Sequence, residues 1–196
     1  MTPPNILTLS RLGLTAVLMV LLAISFPFAK TLALLVFIIA GITDYLDGYL
    51  ARTKYGTSSF GRLMDPLTDK VLVCAAFVSF VEIGLVPAWI AVIIISREFL
   101  VTGLRLLAVN KGTVVAAGKW GKHKTVWQII AISTLLLGLA IRDDLLKTAG
   151  TTLQNNYDFA FKWVAFAIAI GVAAITLASG WMYFMEHRDL ISPGRS

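Results

Sequence analysis

Long apolar runs dominate this chain and leave it little choice of solvent. Windows rich in Leu, Ile, Val, Ala and Phe cover about 5–26, 31–53, 64–83, 86–110, 120–141 and 158–185. Each is near the roughly 20 residues a helix needs to cross the hydrocarbon core of a bilayer. Breaks fall at Phe26-Pro27, Thr53–Phe60, Glu82–Pro87, Asn110–Gly121 and the polar segment Arg142–Asp158. Pro66 and Pro87 stand where a first helical turn tolerates proline, since the N–H it lacks has no partner there. Composition agrees: 58% of the 196 residues are apolar and 14% are charged, against about 45–50% and 25% in soluble domains. The expectation is an all-α polytopic membrane protein with six transmembrane helices, forming a single domain over 1–196 with no internal repeat. The first apolar run reads as an uncleaved span, because its basic flank is weak and no small-x-small site leads into a soluble domain.

Loop charges orient these spans. The second connection carries Arg52, Lys54 and Arg62, and the fourth carries Lys111, Lys119, Lys122 and Lys124. The third has no Lys or Arg, and the fifth mixes Arg142 and Lys147 with Asp143, Asp144 and Asp158. Excess Lys and Arg marks the cytoplasmic side, so both termini and the even-numbered connections are expected there. The net charge of +6 then faces anionic lipid, and nothing points to nucleic acid. Trp89, Trp120, Trp127, Trp163 and Trp181 lie mostly near span ends, as an aromatic belt requires. The single cysteine, Cys74, has no partner for an intramolecular disulfide and sits in VLVCAAFVSF as a packing residue.

Against this background the segment TDYLDGYLARTKYGTSSFGRLMDPLTDK, Thr43 to Lys70, is anomalous. Asp44 and Asp47 are three apart on the second helix and share a face with the small residues Gly48 and Ala51. Arg52, one turn beyond Gly48, offers a planar fork of donors to phosphate. On the third helix Asp65 and Asp69 are four apart, with Gly61 one turn earlier. A short connection makes the two helices antiparallel neighbours, so the four carboxylates can converge. Like charges at a membrane-proximal site oppose one another and lose solvation. A divalent cation resolves both costs, and all-oxygen ligation selects Mg2+ or Mn2+. Such an ion can hold a diphosphate, and a carboxylate only partly committed to it can act as a base. Four aspartates that merely cap helices or pair with Arg52, Lys54 and Lys70 would explain less of the spacing.

The pattern D-x2-D-G-x2-A-R-x8-G-x3-D-x3-D runs complete from Asp44 to Asp69 and resembles the CDP-alcohol phosphatidyltransferases. The resemblance extends over nearly the whole chain. It implies that Asp44, Asp47 and Asp65 ligate two divalent ions, with Asp69 as a further ligand and the general base. Arg52 and the ions would hold the diphosphate of a CDP-linked lipid, CDP-diacylglycerol. Gly48 and Ala51 would border the cytidine, beside Gly61, and a hydroxyl of the Thr57–Ser58 pair, with Ser58 favoured, would touch the nucleotide. At the start of the chain PNILTLSR, Pro4 to Arg11, resembles the family's first segment, where Asn5 and Thr8 face the nucleotide. The chain departs from many members in having Thr15-Ala16 where they carry a proline, a difference that bears on helix bending. The resemblance also implies a homodimer and a multi-pass protein of a bacterial cytoplasmic (inner) membrane, with its active site facing the cytoplasm.

The acceptor is read from the remaining cations. Arg97 lies inside the run AVIIISREFLVTGLRLLA and Arg105 follows near its cytoplasmic end. An arginine inside a span is costly and functional by default. Glu98, seven residues from Arg105, is a possible structural partner for it. GKWGKHKT, Gly118 to Thr125, adds Lys122 and Lys124 at a helix start, where backbone donors also favour an anion. Arg97, Arg105, Lys122 and Lys124 make most sense if the acceptor alcohol carries a phosphate of its own. REFLVTGLRLLA and GKHKT look like the branch of the family that uses sn-glycerol 3-phosphate. Rival readings are the same chemistry with inositol phosphate or phosphatidylglycerol, an intramembrane prenyltransferase, and a divalent-ion carrier. The last two are disfavoured by chain length, by the G-x2-A-R element and by the absence of a repeat.

Overall fold

The computed structural model describes residues 3–50, 59–110, 119–146 and 151–186; within these, the side chains of 3–8, 44–50, 59–67, 69, 107, 109–110 and 119–123 are not described. Every regular element among the described residues is helical. They are α1 (Pro3–Ala23), α2 (Ala29–Leu50), α3 (Ser59–Glu82), α4 (Ala88–Asn110), α5 (Lys119–Ala140), a π-helical turn at Ile141–Leu145, and α6 (Thr151–Glu186). α1 packs on α2 and α3; α5 packs on α2, α3 and α6; α4 packs on α3 and α6. Leu18, Phe37, Phe77, Phe80, Ile94, Leu135 and Ala169, drawn from all six helices, are buried in one continuous core.

Among the described residues two helical stretches are long and apolar enough to cross a membrane, Lys124–Leu145 and Thr151–Glu186, and shorter apolar stretches run over Leu9–Ala23 and Ala29–Thr43. The chain is an all-helical protein with the character of a membrane protein.

The two connections described in full, between α1 and α2 and between α3 and α4, are closed by specific chemistry. Pro27 lacks an N–H and disfavours helix at the residue before it, and α1 ends at Ala23. The buried Lys30 then reaches back from α2, donating to the carbonyls of Leu21, Leu22 and Ile24 at 3.3, 2.5 and 3.1 Å. The carbonyls of Leu21 and Leu22 belong to the last turn of α1, where they have no partner within the helix. After α3, Leu85 N–H bonds Phe80 O and Gly84 N–H bonds Val81 O, a Schellman closure. Gly84 at φ 71° supplies the left-handed residue that this closure needs. Within α1, the Thr15 hydroxyl donates to the Arg11 carbonyl at 2.8 Å, and the helix continues unbroken past the position where a proline was noted as missing.

Two boundaries differ from the sequence reading. Pro66 is not in a first turn, since α3 starts at Ser59. The polar segment 142–158 is largely ordered as the π-helical turn and the first two turns of α6. Tertiary partners account for the second difference. Tyr157 stacks on Phe161 at 5.7 Å and donates to Gly138 O at 3.0 Å. Arg142 Nε meets Asp158 at 3.1 Å, and Asp144 accepts from the Thr31 N–H and hydroxyl at 2.7 and 2.6 Å. The small-residue face of α6, with Ala165, Ala169, Ala173, Thr176 and Ser179 buried, is covered by α4 and α5 of the same chain. Close helix approach of this kind is what small residues permit.

Gly138 marks the tightest crossing, because a Cβ there would collide with the Phe161 ring. Helix propensity alone would favour alanine by about 1 kcal/mol. Gly138→Ala is nevertheless expected to destabilise the protein, by about 1–3 kcal/mol of overpacking, measured by unfolding in detergent micelles. Phe161→Leu in the same chain should recover part of that loss, so the two changes combine less than additively. Simple additivity would show that the crossing is not as tight as described.

Candidate functional site

A cleft of about 800 Å³ opens between α1, α2, α3, α4 and α5. Its walls are mixed. Phe37, Ile42, Leu72, Val101 and Ile129 make an apolar side, while Arg11, Lys70, Arg97, Arg105 and Lys124 carry positive charge. Glu98 is the acid among the described lining residues. Three of the four basic residues expected to bind an acceptor phosphate, Arg97, Arg105 and Lys124, therefore share one cavity. Lys122 lies two residues before Lys124 on α5, and its side chain is outside the described set.

The charges in the cleft are held by partners on other helices. Lys124, almost wholly buried, forms an ion pair with Glu98. Gln128, one turn along α5, donates to the same carboxylate at 3.4 Å. Arg97 Nη1 is 3.9 Å from the other Glu98 oxygen, and its Nη2 donates to Ser179 Oγ on α6 at 2.6 Å. The Arg105 guanidinium carbon stands 5.6 Å from the centre of the Tyr183 ring, within cation–π range. Glu98 thus serves Lys124, and Arg105 turns to an aromatic face. Seven residues along one helix separate Glu98 and Arg105 by about 10 Å of rise, and nearer partners win. Arg97 Nε and Arg105 Nε are both buried, with no hydrogen-bond acceptor among the described residues. Two guanidiniums with spare, desolvated donors are suited to a multiply charged oxyanion.

The aspartates border this cleft in the chain. The lining includes Ile42 on α2, two residues before Asp44, and Lys70 on α3, one residue after Asp69. On α1 it includes Arg11, three residues after Thr8. Asn5 and Thr8 lie on α1, Asp44, Asp47 and Gly48 on α2, and Gly61, Asp65 and Asp69 on α3. Their side chains are outside the described set, and Ala51, Arg52 and Ser58 lie outside the described residues altogether.

Sequence reasoning underrated several residues. Arg11 is buried in the cleft wall. Lys70, Gln128, Ser179 and Tyr183 were not singled out as functional. Ser179 and Tyr183 carried a usable signal, being polar-tipped residues four apart in an apolar run and so on one helix face.

The Glu98–Lys124 pair makes a testable claim about this wall. Breaking a buried pair leaves an uncompensated charge and costs about 3–5 kcal/mol. Glu98→Gln is therefore expected to lower the thermal midpoint sharply. Adding Lys124→Gln should restore most of it, so that the double change costs far less than the two single changes summed; purely additive losses would mean the pair is not formed.

The family model for CDP-alcohol phosphatidyltransferase matches residues 1–185. A Bacillus subtilis protein called CDP-diacylglycerol–glycerol-3-phosphate 3-phosphatidyltransferase is 40% identical over 202 residues, covering 96% of each chain. Proteins of the same name from Rickettsia bellii and Rickettsia typhi are 37% and 33% identical, each over 92% of this chain and over 92% and 94% of their own.

Proposed function

The chain belongs to the CDP-alcohol phosphatidyltransferase family, and from that membership we propose that it transfers the phosphatidyl group of CDP-diacylglycerol to sn-glycerol 3-phosphate, releasing CMP and forming phosphatidylglycerol phosphate. Relatives whose names state this reaction support the reading over nearly the full length of both chains. The observation that carries the choice of acceptor is the cationic cleft, where Arg97 and Arg105 keep unsatisfied donors beside the helices that bear the aspartates. A neutral acceptor alcohol would not need that charge.

In the proposed reaction Asp69 accepts the proton of the acceptor hydroxyl. The freed oxygen bonds to the lipid-side phosphorus of the diphosphate, and the bond from that phosphorus to the CMP oxygen breaks. Arg52 steadies the diphosphate, while Asn5, Thr8, Gly48, Ala51, Ser58 and Gly61 receive the cytidine end. Arg97 and Arg105, with Lys122 and Lys124, orient the acceptor through its phosphate. Asp44, Asp47, Asp65 and Asp69 would hold divalent metal, Mg2+ or Mn2+, as two ions. The donor set fits a hard ion, since these positions offer only carboxylate oxygen and the described cleft lining has no Cys or His. When bound, such ions offset the charge that gathers on the phosphoryl oxygens and leaving group.

The topology belongs to the same proposal: one domain, six spans, both termini and the active site on the cytoplasmic side of a bacterial inner membrane. Trp163 and Trp181 on α6 are 62% and 67% exposed. Their separation of 18 residues corresponds to about 27 Å of helix, close to a hydrocarbon thickness. Charge also differs between the two ends. The cleft is rich in cations, whereas the smaller pocket at the α1–α2 and α5–α6 connections sets Lys30 and Arg142 against Asp143 and Asp144. That asymmetry favours the cleft end as cytoplasmic. A homodimer would use outer helix faces, because the small-residue face of α6 is already occupied.

CMP release measured with glycerol 3-phosphate, inositol phosphate and phosphatidylglycerol as acceptors tests the assignment. Release with inositol phosphate and none with glycerol 3-phosphate would overturn it. Asp69→Asn is expected to lower turnover by a factor of about 10²–10⁴ or more while CDP-lipid binding persists. Joint loss of binding and turnover would make Asp69 chiefly a metal ligand.

A further inference from the structure

We infer that the face of α6 formed by Ser179, Gly180 and Tyr183 is a positioning surface that draws Arg97 and Arg105 together into one site for a phosphate monoester dianion. This deepens the proposed function and rests on it. Arg97 and Arg105 are eight residues apart on α4, about 12 Å along its axis. Their anchors on α6 are four residues apart, about 6 Å. The Arg97 Nη2 donates to Ser179 Oγ at 2.6 Å, and the Arg105 guanidinium lies 5.6 Å from the Tyr183 ring centre. Along the helix axes the anchor positions are thus half as far apart as the arginine positions, a spacing that draws the two guanidiniums toward each other. Gly180 makes the approach possible: a Cβ there would stand 3.0 Å from Arg97 Cγ. Ser179 and Tyr183 are buried, and neither is among the residues lining the cleft. They act from behind the wall.

The chemistry of the anchors identifies the ligand class. Two guanidiniums brought together repel, and carboxylate partners would relieve that repulsion at the cost of their charge. A hydroxyl and an aromatic face hold them without cancelling it. Lys124 provides the contrast, its charge being matched by Glu98, while Arg97 reaches that carboxylate only at 3.9 Å. Among the described residues the pair's one carboxylate neighbour, Glu98, is already matched to Lys124, so the two guanidiniums keep positive charge and buried Nε donors for an anion. A phosphate monoester carries about −1.5 to −2 near neutral pH; a diester carries a single charge and a free alcohol none.

Steady-state kinetics of the full chain in lipid–detergent micelles test this, with each KM, kcat and the thermal midpoint recorded. Ser179→Ala and Tyr183→Leu are expected to raise KM for glycerol 3-phosphate about tenfold, the scale of one charge-assisted hydrogen bond. KM for CDP-diacylglycerol should stay within about twofold. Ser179→Thr and Tyr183→Phe, which keep the hydroxyl and the ring, should remain near the parent. Gly180→Val should act like Ser179→Ala if it folds, and the Ser179 series decides the matter if it does not. An unchanged KM for glycerol 3-phosphate, or equal rises for both substrates, would overturn the inference. Arg97→Ala separates the two levels. If it raises the acceptor KM and Ser179→Ala does not, only the positioning role fails; if it leaves that KM unchanged, the phosphate reading of the cleft fails as well.

Discussion

A charged side chain in an apolar helix bundle has little water to turn to, so its partner must come from the protein, and here that partner nearly always lies on another helix. Lys30 on α2 caps the carbonyl end of α1. Asp144, after α5, holds the start of α2 through Thr31. Arg142 reaches Asp158 on α6, Lys124 on α5 reaches Glu98 on α4, and Arg97 on α4 reaches Ser179 on α6. Apolar contacts between helices in lipid have little directional preference, whereas each of these bonds has one geometry. The polar minority therefore sets the register in which the apolar majority packs.

The same requirement separates the two ends of the molecule. In the pocket at the α1–α2 and α5–α6 connections Lys30 and Arg142 face Asp143 and Asp144, and Lys30 is spent on three carbonyls. That end is built to close. At the cleft the described lining has five cations and one acid, an imbalance that a fold tolerates only when something anionic completes it or nearby acids share it. In the proposed reading both apply, because the aspartate-bearing stretches of α2 and α3 adjoin the cleft and both substrates bring phosphate.

How much was legible in the sequence follows from the range of each interaction. Six helices could be read because each depends on a local run of apolar residues. The aspartate motif could be read because i, i+3 and i, i+4 spacing fixes a shared face whatever else surrounds it. Arg97 was legible from the cost of an arginine inside a span, and its grouping with Arg105 and Lys124, which share one cavity, from the expectation that the acceptor carries a phosphate. The choice of partners was not. Glu98 pairs across 26 residues with Lys124 and not along its own helix with Arg105, and nothing local distinguishes these outcomes. The start of α6 was misjudged for the same reason: TTLQNNYD is polar, but Tyr157 and Asp158 are tied to Gly138 and Arg142.

This difference in range bears on how such a site can be assembled and altered. In the proposed mechanism donor chemistry is encoded in one stretch, Asp44 to Asp69, where a single shift in spacing would move a carboxylate off its face. Acceptor recognition is spread over α4, α5 and α6, whose relevant residues are up to 86 positions apart, Arg97 to Tyr183. A change on α6 can alter the reach of an arginine on α4 without touching the aspartates. Donor and acceptor specificity are then separable by construction, and a change in acceptor preference would arise behind the cleft wall as readily as within it.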